Sequence, residues 1–520
     1  MCLNLKWKWM IAGVLSLLCV FAFTSTQSQA ASEYKVAEIK TTKAKFYKTP
    51  SKKAKATAVK STDLKRTYYV RESKKADGTT YYRLEKGVTS MGWIDGKVLK
   101  INNRTLLSKK KQTMYLLGRN NAYTMPATTS SNRSYNLEIR RGLSFAAERY
   151  EKVGTTYWYK GKIEGTTKLR WIRSDLLTTN GFVGVDLRKP SNVTAKDLQA
   201  LILSKGRTPD NILYKLAPEF IKAQSSTGVS AQFMFAHAAL ETGWGGSTIS
   251  QYKNNLFGYQ AYDTCPITCS KYFPKGEDGL KLYASRIVNN YLTVGGPYYY
   301  GKNVLAMNVK YATDPTWGEK IANIMQQIKP YNSSYYKGVK ASTKKVSIAQ
   351  DFGSEIPSTK PQPSAFVALP SSISATINSS GASVYSIPYV YAPRVGSYAK
   401  GKKITLKAYH TDVKDFKNAK GAQSRWYRIS YQNKQAWVRS DQITTTNLAF
   451  TTVDATLRSN AGTNYSKVTT VKKNTALKLV TSSSKPVTKK DSKKATWYQV
   501  YQPGSTKKVW IRSDLMKIYR

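Results

Sequence analysis

The sequence predicts a multidomain protein in which a central α-helical domain is flanked by small all-β modules. Three observations lead to this prediction: a hairpin-like motif that recurs four times, a central stretch with helical periodicity, and a basic charge that lies mostly outside that stretch. The chain has 520 residues, enough for several domains, and 41% hydrophobic residues, enough for packed cores. A mostly disordered basic polypeptide is therefore excluded.

The first 30 residues have the character of a signal peptide. Lys6 and Lys8 precede an apolar stretch at 10–23, and Ser28-Gln29-Ala30 has the small residues of a cleavage site. An apolar stretch of about 14 residues is short for a membrane span. We therefore expect an exported protein that has no transmembrane anchor once 1–30 has been removed.

The recurring motif predicts the modules on both sides of the centre. Each copy has an aromatic pair, a short turn region and a second strand-like run with a tryptophan, and three copies continue Arg-Ser-Asp. Large and polar residues that alternate about a turn are typical of a β-hairpin. The copies lie at 80–99, 156–177, 424–443 and 495–516. We expect four modules, at 31–105, 106–180, 381–447 and 448–520, with a Ser- and Pro-rich linker at 336–380.

These modules resemble the SH3-like modules of bacterial cell-wall proteins, in particular the GW type. The resemblance implies small β-barrels that bind a wall polymer. Gly92-Trp93 matches the GW signature, and the other three copies have a different residue before the tryptophan: Arg170-Trp171, Ala436-Trp437 and Val509-Trp510. Large aromatic residues are usually buried, so we expect the repeated tryptophans to be core residues and surface Lys and Arg to bind the ligand.

The charge is distributed unevenly along the chain. The net charge is +53, but residues 191–330 contain 12 Lys and 2 Arg against 9 acidic residues, so +48 lies elsewhere. Such an excess predicts an anionic polymer as partner. The resemblance to wall proteins implies teichoic or lipoteichoic acid and a location at the surface of a Gram-positive-type bacterium. Nucleic acid is not expected, because export separates the chain from it.

Histidine and cysteine usage excludes several kinds of site. The two histidines, His237 and His410, are far apart, whereas zinc hydrolases use two or three at one site. We expect no metal and no cofactor, and a packing or orienting role for His237. Outside the predicted signal peptide the cysteines are Cys265 and Cys269, which could form a local disulfide or remain free thiols.

Residues 181–335 are predicted to be helical and to hold the chemical centre. The run 231–240 is apolar on all sides, as in a buried helix, and Glu241 follows it just before a Gly-rich break at 243–246. The helix macrodipole and the apolar neighbours should both raise the pKa of Glu241. A raised pKa suits a general acid. The alternative is a structural Glu paired with Lys or Arg.

The segment 236–247, AHAALETGWGGS, resembles the catalytic motif of glycoside hydrolase family 73, the glucosaminidase domain of bacterial autolysins. Further segments match in order at 254–259, 261–263 and 311–317. The resemblance implies a lysozyme-like helical fold with a small β-lobe and cleavage of peptidoglycan glycan strands after N-acetylglucosamine. An N-acetylmuramidase of the same fold and a non-enzymatic wall adhesin are the alternatives.

The same resemblance assigns roles to individual residues. Glu241 is the proton donor, and Tyr311 lines the cleft and holds the sugar or its water. A second carboxylate could be Glu277 or Asp278, before a helix expected to begin at Gly279, although each could instead cap that helix. Asp263 and Asp314 are further possibilities, and a substrate acetamido group could replace the second carboxylate. The expected sugar-binding residues are Trp244, Asn255, Phe257, Tyr259, Asp314 and Trp317. Trp244, Phe257 and Tyr259 could stack on sugar rings or instead form core.

Overall fold

A computed structural model describes residues 35–357, 359–410 and 425–519. The chain forms two compact units: one contains 35–114, 119–139 and 144–177, and the other contains 115–118, 140–143 and the chain from 178 onwards. The predicted signal peptide at 1–30 lies outside the described residues. No helix within the described part of the chain has the length and apolar character needed to cross a bilayer.

The strands before the helices build an antiparallel sheet. They are β1 (Lys35–Ile39), β2 (Lys45–Tyr47), β3 (Ala56–Ala58), β4 (Thr67–Ala76), β5 (Thr79–Lys86), β6 (Thr89–Asp95), β7 (Leu99–Ser108), β8 (Gln112–Leu116), β9 (Asn121–Tyr123), β10 (Arg133–Asn136), β11 (Ser144–Val153), β12 (Thr156–Ile163), β13 (Leu169–Arg173) and β14 (Leu177–Thr178). Strand β7 pairs with both β1 and β11, so one sheet continues through the two N-terminal repeats.

The helical part of the second unit occupies the centre of the chain. Its helices are α1 (Ala195–Ser204), α2 (Ile212–Thr227), α3 (Ala231–Glu241), α4 (Thr248–Lys253), α5 (Gly276–Arg286), α6 (Val304–Tyr311), α7 (Trp317–Ile328) and α8 (Ser333–Gly338). Helix α3 lies in the middle of the core, and every residue from Ala231 to Ala239 is buried. The predicted all-round apolar helix is therefore confirmed, and burial on every side is the reason that this helix has no polar face.

The C-terminal strands form further antiparallel sheets. They are β15 (Phe366–Ile377), β16 (Gly381–Tyr385), β17 (Arg394–Ala399), β18 (Lys403–His410), β19 (Trp426–Tyr431), β20 (Lys434–Arg439), β21 (Ile443–Thr445), β22 (Leu448–Thr451), β23 (Ala455–Arg458), β24 (Lys467–Val471), β25 (Ala476–Lys478), β26 (Thr481–Ser482), β27 (Lys485–Pro486), β28 (Thr488–Lys490), β29 (Thr496–Tyr501), β30 (Lys508–Arg512) and β31 (Met516–Tyr519). The strand pairings are open series of neighbours, so the SH3-like barrel stays a prediction.

The four predicted hairpins are present. Antiparallel pairing joins β5 to β6, β12 to β13, β19 to β20 and β29 to β30. The predicted core role is confirmed for Trp171 and Trp437, which are at most 2% exposed, whereas Trp93 and Trp510 are half-buried. In the three Arg-Ser-Asp copies the guanidinium binds both carboxylate oxygens of the Asp two residues later.

The prediction of a small β-lobe in the helical domain is wrong. Residues 181–335 are all described and contain no strand. The segment 254–275 instead consists of turns and coil, with a disulfide between Cys265 and Cys269. A bridge between residues so close in the chain holds a compact turn. Side chains at the C-terminal end of α4 and just after it donate hydrogen bonds to backbone carbonyls of this segment, which in a β-sheet would pair with a neighbouring strand.

The segment 339–357, part of the predicted linker, is packed along the helical domain. Asn289 donates a hydrogen bond from Nδ2 to the carbonyl of Val346 at 2.8 Å. The ammonium of Lys253 is 0% exposed and reaches the carbonyl of Ser354 at 2.9 Å. The linker composition therefore does not prevent ordered packing, because the helical domain supplies hydrogen-bond partners to the backbone of this connecting segment.

The connecting segment leads into the third module, which packs on the helical domain. One hydrophobic cluster contains Cys265 and Cys269 of the helical domain together with Phe366, Tyr385 and Trp437 of the module. Residues 366–377, which the sequence assigns to the linker, form strand β15. The disulfide-bonded turn is thus part of a junction between the helical domain and the third module.

Candidate active site

The end of α3 is shaped by a left-handed turn. Gly243, Trp244 and Gly245 have φ values of +55°, +62° and +72°. A Cβ on Gly245 would lie 2.5 Å from Oδ1 of Asn211, so glycine is required there. Trp244 adopts a conformation that a bulky residue seldom takes, and the Asn211 amide holds it by donating to the Trp244 carbonyl at 2.9 Å. This turn ends the helix directly after Glu241.

The carboxylate of Glu241 is held by one of its two oxygens. Its Oε1 accepts hydrogen bonds from Nε2 of His237 at 3.2 Å and from Nε1 of Trp317 at 3.4 Å. No residue that the structure describes forms a hydrogen bond with Oε2. The side chain is 31% exposed, so a ligand can reach a carboxyl group whose orientation is already set.

His237 links this carboxylate to a buried tyrosine. Its Nδ1 lies 2.7 Å from the hydroxyl of Tyr283, and its ring is 0% exposed. Burial lowers the pKa of His237, so the imidazole is neutral at neutral pH. Burial also raises the pKa of Tyr283, so the hydroxyl keeps its proton and donates a hydrogen bond to Nδ1 of His237. The remaining imidazole hydrogen is then on Nε2 and points to Glu241.

The pKa of Glu241 corrects the sequence-based expectation. Burial raises this pKa, but the hydrogen bonds from His237 and Trp317 outweigh it, and the net pKa lies below the ordinary value. Donors to an ionised oxygen favour the ionised form. The carboxyl group is therefore ionised in the free protein at neutral pH, not protonated as the helix-end argument suggested.

Tyr311 lies at the end of α6, close to these groups. Its ring stacks on Trp317 with centroids 4.7 Å apart and approaches the His237 ring at 4.6 Å. Burial, with a further contribution from the charge of Glu241, raises its pKa well above the ordinary value. The hydroxyl therefore stays protonated and can donate a hydrogen bond beside the carboxylate.

The four other candidate carboxylates have different surroundings. Asp314 accepts from the backbone and hydroxyl of Thr316 and from Lys320, and these bonds lower its pKa to about 2. Asp278 accepts from the backbone nitrogen of Lys275 at 3.2 Å. Helix α5 begins at Gly276 and not at Gly279, so Asp278 caps its first turn.

Glu277 and Asp263 have no such capping role. Glu277 forms no hydrogen bond within the described residues, and its charge interacts with Lys222. Asp263 is exposed in the segment 254–275. Among the two acids that the family resemblance favoured, Glu277 is therefore the one whose oxygens are not used by the fold.

Several expected sugar-binding residues instead stabilise the fold around the site. Asn255 is 1% exposed, and its amide is bonded to the backbone of Tyr259 and Lys271. Phe257 is 6% exposed and stacks on Tyr283 with centroids 3.6 Å apart. The side chains of these two residues are thus bonded or packed within the fold around the site.

The other three aromatic candidates differ in what covers them. Trp317 is 4% exposed and contacts the carboxylate with its indole nitrogen. The Tyr259 ring is covered by the guanidinium of Arg286 at 5.1 Å. Trp244 is half-buried, with the ammonium of Lys205 4.8 Å from its ring. Tyr283, which orients His237, was not predicted as a site residue, because its helical spacing is that of an ordinary core position.

No group of three His, Cys, Asp or Glu side chains suited to a metal ion is found in residues 35–357, 359–410 and 425–519. The polar groups gathered at the site are those of Glu241, His237, Trp317 and the two tyrosine hydroxyls.

Comparison with known proteins places this site in a matched region. Residues 217–330 match the family model described as Glucosaminidase, mannosyl-glycoprotein endo-beta-N-acetylglucosaminidase. A Streptococcus pneumoniae protein named "Putative endo-beta-N-acetylglucosaminidase" is 36% identical over 149 residues, which are 29% of this chain and 22% of that protein. A Staphylococcus aureus bifunctional autolysin is 21% identical over 321 residues, 45% of this chain and 25% of the autolysin. The chain thus spans about a quarter of the length of these relatives or less.

Solved structures include a more distant match. The crystal structure of Staphylococcus aureus autolysin E in complex with a muropeptide is 22% identical, with a TM-score of 0.23, and the match covers 32% of this chain and 77% of that one. The family match over 217–330 contains Glu241, His237, Tyr283, Tyr311 and Trp317.

Proposed function

We propose that the protein is an exported peptidoglycan hydrolase that cleaves the glycan strand after N-acetylglucosamine, with Glu241 as the general acid. The observation that carries the proposal is the carboxylate at the end of α3, held through Oε1 by His237 and Trp317 within the matched domain. Oε2 is then the oxygen that transfers the proton to the leaving sugar oxygen.

The lowered pKa of Glu241 in the free protein sets a requirement on this mechanism. A general acid must carry a proton when the glycosidic bond breaks. A sugar chain that covers the carboxyl group excludes water and disfavours its ionised form, so its pKa rises and it takes up a proton on substrate binding. His237 and Trp317 act as positioning residues, because they hold Oε1 while Oε2 reacts.

The positive charge that develops on the sugar ring needs a second group. This second group, which stabilises the positive charge, is either Glu277 or the substrate's own acetamido oxygen. The two alternatives differ in whether a carboxylate of the protein takes part in the reaction besides Glu241. The Tyr311 hydroxyl, which stays protonated, holds the attacking water or the sugar by donating a hydrogen bond.

Digestion of purified, reduced cell walls followed by mass spectrometry tests the proposed reaction. We expect newly formed reducing ends to be N-acetylglucosamine. Reducing N-acetylmuramic acid ends would identify an N-acetylmuramidase of the same fold. Binding to walls without any release of glycan would identify a non-enzymatic adhesin.

The remaining parts of the proposal concern export and wall attachment. The signal peptide at 1–30 directs export, and the four basic modules, predicted to be SH3-like barrels of the GW type, bind teichoic or lipoteichoic acid at the wall of a Gram-positive-type bacterium. The excess of +48 outside residues 191–330 supports an anionic ligand. Attachment through modules on both sides raises the effective concentration of the catalytic domain at its substrate.

Salt titration tests the attachment. Exposed charge contacts are screened, with a Debye length of about 10 Å at about 0.1 M salt. Retention of the protein on walls should therefore fall steeply as salt rises, while cleavage of a short soluble glycan should respond much less. Equal binding to walls stripped of teichoic acid would make peptidoglycan itself the ligand.

A further inference from the structure

A row of aromatic rings leads away from the catalytic carboxylate. Trp317, which contacts Glu241, is followed by Tyr311, with ring centroids 4.7 Å apart. The Tyr291 centroid lies 5.7 Å from that of Tyr311, and the Tyr298 centroid lies 5.1 Å from that of Tyr291. Its exposure increases with distance from the carboxylate. Trp317 is 4% exposed, whereas Tyr298 is 43% exposed.

A second contact joins α6 to the loop that carries Tyr298. Tyr300 is 55% exposed, and the ammonium of Lys310, the residue before Tyr311, lies 5.6 Å from its ring centroid. Tyr298 and Tyr300 thus belong to one loop that is connected to Tyr311 by two separate routes. We call Tyr291, Tyr298 and Tyr300 the aromatic row.

The loop that carries the row is held in place by its backbone. The nitrogen of Tyr298 donates to the carbonyl of Asn290 at 2.9 Å, and the carbonyl of Lys302 accepts from the nitrogen of Leu187 at 2.8 Å. Tyr291 lies in a π-helical segment, Ile287–Leu292, that directly continues α5. Such segments are uncommon and occur often at functional sites. Two exposed rings on an anchored loop are presented to a ligand at little cost in conformational entropy.

We infer that the aromatic row is a binding site for the sugar residues of the glycan strand beyond the one at Glu241. Pyranose rings present a face of C–H groups that packs on tyrosine, and the hydroxyl and acetamido groups of amino sugars can bond the phenol oxygens. The row makes the enzyme favour long strands over short oligosaccharides. This inference rests on the proposed function, since it takes the glycan strand as the substrate.

Affinity measured without turnover separates this inference from the proposed reaction. Peptide-free glycan strands are titrated into full-length Glu241→Gln protein, and then into the same protein with Tyr298→Ala or Tyr300→Ala added. Apolar contact contributes about 25 cal/mol per Å² of surface buried, so each alanine change should weaken binding by roughly 2- to 10-fold. Tyr298→Phe should retain most of the affinity, because the ring remains.

The matched control is Tyr252→Ala, which removes a tyrosine of α4 that is 38% exposed and outside the row. It should leave the affinity unchanged. The inference is overturned if Tyr298→Ala and Tyr300→Ala bind strands as tightly as their parent, if Tyr252→Ala loses as much, or if the losses appear only with stem-peptide fragments. Strand binding that depends on the row, without cleavage by the protein that retains Glu241, would sink the proposed reaction alone.

Discussion

A glutamate lies beside an indole nitrogen in two regions of the molecule. One region is the candidate active site of the helical domain, and the other is the junction between that domain and the third module. Glu241 accepts a hydrogen bond from Trp317 at 3.4 Å, and Glu355 accepts one from Trp437 at 2.5 Å. Despite this common contact, the pKa of Glu241 is lowered and that of Glu355 is raised.

The difference lies in what surrounds the rest of each carboxyl group. Burial is the largest influence on Glu355 and raises its pKa, against the lowering effects of Trp437, Arg428 and Lys253. Its Oε2 is buried and has no hydrogen-bond partner among the described residues. Glu241 has a second donor in His237 and a side chain that is 31% exposed. One indole N–H thus does not offset the effect of burial on the pKa of Glu355.

The largest expected effect separates the two glutamates by activity. Glu241→Gln keeps the shape but removes the transferable proton, so wall lysis should fall by about 10²–10⁴-fold. Glu355→Gln is the matched control and should lyse walls at the wild-type rate, since the junction takes no part in the reaction. Lysis by Glu241→Gln at a near wild-type rate, with both variants folded by circular dichroism, would contradict the assignment.

The next effect concerns the stability of the junction. The ammonium of Lys253 donates to the carbonyls of Thr268, Ser270 and Ser354. Lys253→Met leaves these buried acceptors without a donor, at about 1–3 kcal/mol each. The denaturant midpoint of the helical domain should fall clearly.

The control for that measurement is an exposed lysine. Lys222 is 71% exposed and paired with Glu219, and such exposed pairs contribute little to stability because solvent and salt screen them. Equal midpoints for Lys253→Met and Lys222→Met would show that the junction does not stabilise the helical domain.

A smaller effect on turnover is expected from Tyr311→Phe in the candidate active site. This change removes one hydroxyl and little volume, so the unfolding midpoint should hardly move. Turnover should fall, but by less than for Glu241→Gln, because the hydroxyl positions a reactant and transfers no proton itself. Unchanged turnover in a folded variant would make Tyr311 a packing residue, and single-turnover rates are the measurement that decides.

The smallest effect is the opposite pH dependence of the two glutamates. The raised pKa of Glu355 means that its contribution to stability is fully present below the ordinary carboxyl pKa and is lost as pH rises through the raised value. The lowered pKa of Glu241 means that its contribution is present above the ordinary value and is lost as pH falls through the lowered one.

Unfolding midpoints across pH, for wild type and each glutamine variant, measure this contrast. Relative to Glu355→Gln, the wild type should lose stability as pH rises, by about 1.4 kcal/mol for each unit of pKa difference. Relative to Glu241→Gln it should lose stability as pH falls. Parallel curves for either pair would refute the corresponding pKa direction.

Local features of the site could be predicted because they depend on neighbours in the chain. The all-apolar run before Glu241 and the glycines after it predict a buried helix that ends at an ionisable residue, and α3 has this form. The predicted direction of the Glu241 pKa shift was wrong because the hydrogen bonds from His237 and Trp317 outweigh burial, and Trp317 lies 76 residues away in sequence. Asn255 and Phe257 were predicted to bind sugar, and only the structure shows that they are buried, because packing residues and sugar-binding residues have the same composition.

The sequence by itself determined the order of the regions, the four hairpins, the buried helix and the excess of basic charge, since all of these follow from periodicity, turn residues and composition. Only the tertiary structure decided which donors reach each carboxylate, that 339–357 packs on the helical domain, and that an aromatic row continues from Tyr311. The physical reason is that hydrogen bonding and desolvation act over a few ångströms in space, between groups that are far apart along the chain.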